Sequence, residues 1–215
     1  MAERRRGTAK GRSTYHHGRL RQALLEAGLE LTRAGGPDAL VLRDVTRRVG
    51  VSPNAAYRHF TDRDSLMAAV AMSIQEGMAE RMADQLRTLT AGGAPDLSPA
   101  RSRLHAVGMG YIGFALAEPG WFEVAFSAPA ALPSAVPQDP PPPLRALTEA
   151  LDALVESGEL SVSARSGAEW PCWSAVHGFA LLALHGPLRS QSGEAIQVSA
   201  ERTVSTIITG LLARQ

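Results

Sequence analysis

The stretch VTRRVGVSPNAAYRHF, residues 45–60, constrains the fold of this chain more than any other. Leu42, Val45 and Val49 recur at helical spacing and stop at Gly50. Glycine supplies the positive φ that a tight turn between crossing helices requires. Ser52 is placed to cap a second helix, and Pro53 takes its first position, where a missing N–H costs nothing. Val45, Val49 and Val51 are small enough to let the two helices approach. The pattern predicts a helix-turn-helix. Tyr57, Arg58, His59 and Phe60 then stand side by side, and neighbours on a helix point in different directions. Phe60 is expected to turn into the core, and the other three to face something else.

Charge indicates what they face. Residues 1–60 hold twelve Arg or Lys against five acids, and the rest of the chain holds ten against sixteen. A basic segment joined to an acidic one suggests that the first part alone meets a polyanion. The first turn of the second helix of such a motif is where base edges are read. Asn54 can pair bidentately with adenine, and Ala55 or Ala56 can touch a thymine methyl. Tyr57, Arg58 and His59 carry donors suited to phosphate oxygens. An ordinary helical hairpin with a polar outer face would not need this charge or this turn.

Along the 215 residues, helical periodicity recurs and no segment of any length shows the two-residue period of a strand. MAERRRGTAKGRST, residues 1–14, lacks apolar periodicity and is expected to be a disordered basic arm, suited to electrostatic attachment to DNA. Leu20, Leu24, Ala27 and Leu31 predict a helix, with Gly28 leaving room for a neighbour. AGGP at 34–37 stops it. Thr61 is expected to cap a longer helix with a stripe of Leu66, Met67, Val70, Ile74, Met78 and Met82. Further helices are expected over 99–117, 143–157, 164–186 and 193–213, with a short apolar helix or turn at WFEVAFS and a proline-rich linker at 128–143. The class is all-α: a three-helix DNA-binding domain over 15–62, then a helical ligand-binding and dimerisation domain over 63–215. No apolar run reaches the ~18 residues of a membrane span. The N-terminus is polar and basic, so a soluble, cytoplasmic protein is expected. A single cysteine, Cys172, excludes an intrachain disulfide and a four-cysteine zinc site.

LVLRDVTRRVGVSPNAAYRHFTDRDSLM, residues 40–67, resembles the N-terminal domain of the TetR-type family of bacterial transcriptional regulators, and the likeness extends over 15–70. The resemblance implies base reading by Asn54 and Ala55 and phosphate contacts by Tyr57 and His59. Arg63, in place of the family's usual lysine, and Arg43 would add backbone contacts. With Ser52, Pro53 and Arg58 these are the expected DNA-binding residues. Val41 stands where the family usually has threonine, so one helix cap is missing, and Thr46 replaces a packed alanine. WSAVHG at 173–178 and TYHHGRL at 14–20 are similar to the family's Trp-His-Gly subclass.

In the C-terminal part, Trp170, Trp173 and His177 are expected to share a helix face. Candidates for lining a ligand cavity are Met109, Tyr111, Phe114, Trp121, Phe122, Phe126, Trp173 and His177, to be divided between pocket and plain core. The last helix carries Val198, Val204, Ile207, Ile208, Leu211 and Leu212, too broad a stripe for one buried face. The family resemblance implies that the last two helices form a homodimer interface, with Gly178, Leu182, Val204, Ile207, Ile208 and Leu211 as candidates. No cofactor or metal is expected: His16-His17 diverge, and His177 with His185, eight residues apart, lacks an acid or cysteine beside it.

The reading is a DNA-binding repressor released from a double-stranded operator by a small hydrophobic or amphipathic effector. An alternative is a DNA-binding regulator without such a ligand, controlled by a partner protein or by abundance. An enzyme is the third reading. Cys172 and His177 lie roughly 500° apart around a helix and do not face one another. The chain has no nucleophile elbow, zinc-protease motif or phosphate-binding glycine loop.

Overall fold

A computed structural model of the chain describes residues 10–91, 97–127 and 140–213, with side chains from Arg19 onward. Among them are ten α-helices and no strand: α1 (Lys10–Gly35), α2 (Leu42–Val49), α3 (Pro53–Tyr57), α4 (Arg63–Ala91), α5 (Pro99–Ala117), α6 (Pro119–Ser127), α7 (Pro142–Glu156), α8 (Val162–Arg165), α9 (Glu169–Leu184) and α10 (Gly193–Leu212). The all-α reading holds. Helix α1 starts at Lys10, inside the segment expected to be the arm, whose residues 1–9 lie outside the described residues. Most of the expected linker, residues 128–139, also lies outside them.

Polar caps set the helix starts. Ser52, Ser98, Ser161 and Ser192 each accept a hydrogen bond from the backbone N–H three residues on, which satisfies one orphan donor of the first turn. Thr61 is not the cap of α4. Asp62 is, through Ser65 N–H to its carboxylate at 2.7 Å, while Ser65 Oγ accepts from Asp62 N–H at 3.2 Å. The backbone donor holds the Asp62 carboxyl below its ordinary range. The expected helix over 164–186 is two helices, because Gly167 takes φ 71° between them. Arg165 ties the pieces together, reaching Asp152 of α7 at 2.7 Å and Glu169 of α9 at 2.9 Å.

Helix α4 belongs to both halves. Its six expected stripe residues are all buried. They pack on α1 at one end and on α5, α6 and α7 beyond. Gly28 does let α4 approach α1: a Cβ there would lie 2.9 Å from Val70 Cγ2. The tightest seat joins α6 to the end of α1. A Cβ on Gly120 would stand 2.3 Å from the Arg33 carbonyl oxygen and 2.7 Å from that of Thr32. Beside it, Trp121 Nε1 donates to Leu29 O at 2.8 Å. The Arg33 guanidinium lies 4.8 Å over the Trp121 ring and pairs with Glu118.

Replacing Gly120 by Ala should force backbone against backbone and destabilise the fold by roughly 1–3 kcal/mol. Gly77→Ala, where nothing lies within 4 Å of the added carbon, should be neutral or stabilising by up to about 1 kcal/mol. Equal melting temperatures for the two variants would contradict this account of the α6 seat.

Candidate DNA-binding face and effector cavity

The turn between α2 and α3 has the geometry its residues predict. Gly50 is left-handed (φ 74°, ψ 31°) and donates to Arg47 O and Thr46 O. Val51 N–H returns to Thr46 O at 3.0 Å, which closes α2 and turns the chain. Val41 precedes α2 without a side-chain cap, as its apolar side chain requires. Thr46 is buried, and its hydroxyl is satisfied by Arg43 O at 3.0 Å.

Helix α3 divides cleanly. Ala56 is fully buried and Phe60 nearly so, one helical turn apart, so they pin the helix to the core. Arg21 of α1 covers the Phe60 ring at 5.1 Å. Ala56 therefore cannot touch a base, which corrects one of the two alternatives for a thymine contact. Ser52, Pro53, Asn54, Tyr57 and Arg58 are exposed, with Ala55 and His59 half-buried at the edges. Tyr57 is 51% exposed, unusual for an aromatic side chain with apolar neighbours to join.

The arginines around this face have unequal roles. Arg47 pairs with Asp44 at 2.8 Å, and Arg48 reaches Glu30 of α1 at 2.7 Å, so both serve partly to brace α2. Arg43 and Arg58 are exposed without an ion-pair partner among the described residues. Arg63, expected at a phosphate, has backbone partners within the chain. Its Nε donates to Leu40 O at 2.8 Å and its Nη2 to Pro37 O at 2.6 Å. The guanidinium edge best shaped to grip a phosphate is engaged with the loop between α1 and α2.

In the C-terminal half the expected aromatic residues separate into three groups. Tyr111, Phe122, Phe126, Trp173 and His177 form one cluster, with ring centroids 5.2–6.3 Å apart. Met109 and Phe114 are buried core residues outside the cavity. Trp121 faces α1, not a pocket, because its indole N–H found a partner there. Trp170, seven residues before His177 on α9, takes no part in the ring cluster. It points outward and is half-exposed.

A cavity of about 20 Å³ lies beside the cluster, room for about one water molecule. Tyr111 and Trp173 form part of its wall, with Met82 from α4, Leu104, Val107 and Gly108 from α5, Leu147 from α7, and Cys172 and Val176 from α9. Val204, Ile207 and Ile208 of α10 complete it. These three were expected at a dimer interface. Val204 is 1% exposed and Ile208 7%, and Leu211 is buried too, so Val204, Ile208 and Leu211 pack inside their own subunit. Most of the α4, α5 and α7 lining carries no aromatic signal, which is why the sequence did not single it out.

The cavity is electrically quiet. Its lining has no charged side chain. Burial pushes the Cys172 thiol up to about 11, so it stays protonated and is a poor nucleophile at neutral pH. Burial raises the Tyr111 phenol and lowers the His177 imidazole, so both are neutral. Tyr111 Oη and His177 Nδ1 share a hydrogen bond of 2.8 Å. His185 is not with His177: it lies 3.2 Å from Glu123 of α6. Among the described residues no group of three or more His, Cys, Asp or Glu could hold a metal, and no helix is long and apolar enough to cross a membrane.

A helix-turn-helix head on an all-helical body is the architecture of a DNA-binding regulator. Residues 24–70 match the family model for bacterial regulatory proteins of the tetR family, and 104–207 that for the tetracyclin repressor-like C-terminal domain. The chain belongs to the tetR family and is a DNA-binding transcription regulator. It matches no curated protein by sequence. Among solved structures it is similar to a protein of unknown function from Rhodococcus sp. RHA1, at 27% identity over 88% of this chain and 95% of that one, TM-score 0.61. It shares its fold with a single-substitution variant of TetR from Acinetobacter baumannii AYE in complex with minocycline (16% identity, 87% and 93% covered, TM-score 0.60). It also shares the fold with RolR in complex with its ligand resorcinol (16%, 94% and 97%, TM-score 0.61).

Tyr111→Phe should leave His177 Nδ1 without its hydrogen-bond partner and cost about 1–3 kcal/mol in urea unfolding at pH 7.5. Stability from neutral His177 is complete above the unfolded value near 6.5 and is lost as pH falls through its lowered folded value. His177→Phe should therefore flatten the loss of stability below pH 6.5. An unchanged slope in that window would place the acid-sensitive group elsewhere.

Proposed function

We propose that this regulator is a repressor that leaves its operator when a small, predominantly apolar effector enters the cavity. The observation that carries the reading is the position of that cavity. It adjoins an aromatic cluster, two of whose rings, Phe122 and Phe126, stand on α6, and the other end of α6 is seated on α1. A molecule larger than the present space has to displace the lining, including Tyr111 and Trp173, whose rings pack on Phe122 and Phe126, and α6 carries the displacement to the DNA-binding head. The minocycline and resorcinol complexes of fold relatives support a small-molecule ligand. An uncharged lining favours an uncharged body on the effector, because a buried charge without a partner is costly. The chain acts as a cytoplasmic regulator.

On DNA, the first turn of α3 enters the major groove. Asn54 and Ala55 read bases, with Ser52 and Pro53 bringing the turn to the duplex. Tyr57, Arg58, His59 and Arg43 hold phosphates. A homodimer supplies two such heads. With Val204, Ile208 and Leu211 turned inward, the surface for it is the outer side of α9 and α10, where Gly178 has open space and Leu181, Leu182 and Val198 are exposed.

Tyr57→Ala should abolish most binding to an operator selected from random-sequence duplexes while leaving the helical circular-dichroism signal unchanged. Binding by the variant equal to wild type would remove Tyr57 from the face. A thermal-shift screen of uncharged aromatic and alicyclic compounds should yield ligands that stabilise the protein and release that operator. Good operator binding with no ligand from such a screen would favour control by a partner protein or by abundance.

A further inference from the structure

We infer that Arg63 is a positioning residue for operator recognition: its fork fixes the α1–α2 loop to the start of α4 and so sets the pose of α3, without contacting a phosphate. Nε and Nη2 both end on backbone carbonyls of that loop, Leu40 and Pro37. Those two carbonyls lie just before α2, and α3 is joined to α2 by the short Gly50 turn. The remaining guanidinium nitrogen, Nη1, lies 3.9 Å from Asp64, whose negative charge would oppose a nearby phosphate. Leu40, whose carbonyl accepts one of the two bonds, is fully buried against Gly28 of α1, so the loop is held from inside and outside.

The same loop touches the regulatory half. A Cβ on Gly36, which has φ 60°, would lie 2.9 Å from Glu123 Oε2 of α6. Glu123 in turn is paired with His185, just beyond α9. The loop is thus gripped by α6 on one side and by Arg63 on the other. Lysine keeps the charge at this position but cannot bond two carbonyls with a planar fork. Charge and positioning can therefore be separated at residue 63 by substitution.

The test compares wild type, Arg63→Lys and Arg63→Gln on the selected operator and on a random duplex across a salt series, with helicity checked by circular dichroism. The inference rests on the DNA-binding face proposed above, and Tyr57→Ala, run alongside, reports on that face independently. Arg63→Lys should lose about tenfold in operator affinity, the scale of a lost charge-assisted hydrogen bond. Its random-duplex affinity and its salt slope should stay at wild-type values. If Arg63→Lys binds the operator like wild type and Arg63→Gln loses about 0.9 of a unit of slope, Arg63 is a phosphate ligand and the inference fails. It also fails if Arg63→Lys loses affinity equally on both duplexes with a lowered melting temperature, because the role is then merely structural.

Discussion

The two halves of this protein, which share the long helix α4, come closest at the contact between Gly120 and the last carbonyls of α1. Two helices meet there at backbone distance because one of them has no side chain at the crossing. The neighbouring interactions follow from that proximity. Trp121 can reach Leu29 O, and Arg33 can lie over the indole while pairing with Glu118, only because the backbones are already close. The ion pair raises the Arg33 guanidinium further above its ordinary range, but the group is open to solvent and its pairing is screened. Backbone contact and the indole hydrogen bond therefore do most to hold α6 on α1.

The head is oriented by a similarly small set of contacts. Ala56 and Phe60 fix one side of α3, and Gly50 fixes its angle to α2. Leu40 and the Arg63 fork fix the loop that precedes α2. A recognition helix of five residues makes few contacts of its own. Its pose is accordingly the sum of what its neighbours impose, and anything that moves the α1–α2 loop or α4 moves the reading residues with it.

Much of this was legible in the sequence because local chemistry set it. The Gly50 turn, the Ser52–Pro53 start, the inward Phe60 and the six apolar residues of α4 each follow from spacing and residue type. What was not legible depends on three-dimensional neighbours. Trp121 has the composition of a pocket residue, and only the position of α1 shows that its N–H points away from the cavity. Val204, Ile208 and Leu211 read as a surplus apolar face because the sequence does not reveal that α5 lies under α10, where a Cβ on Gly108 would stand 3.0 Å from Val204. Arg63 has the charge for a phosphate, but the two carbonyls it meets lie 23 and 26 residues earlier in the chain.

The small volume of the cavity bears on how a ligand could act at all. A large preformed pocket could be filled without moving its walls, and a ligand that binds both states equally shifts neither. Here the space beside the ring cluster holds about one water molecule, so an organic ligand that enters that space binds a state in which its lining has rearranged. On α6 the rings that back this lining are Phe122 and Phe126, and the last turn, which carries Phe126, is tied to α4 by the buried Gln75 side chain, whose Nε2 donates to Ala125 O at 2.7 Å. A single neutral hydrogen bond is worth roughly 1 kcal/mol net, and allosteric couplings commonly amount to about 1–3 kcal/mol. The restraint on α6 is therefore on the scale that one small ligand can overcome, while the backbone seat at Gly120 keeps the far end of the helix engaged with the head as it moves.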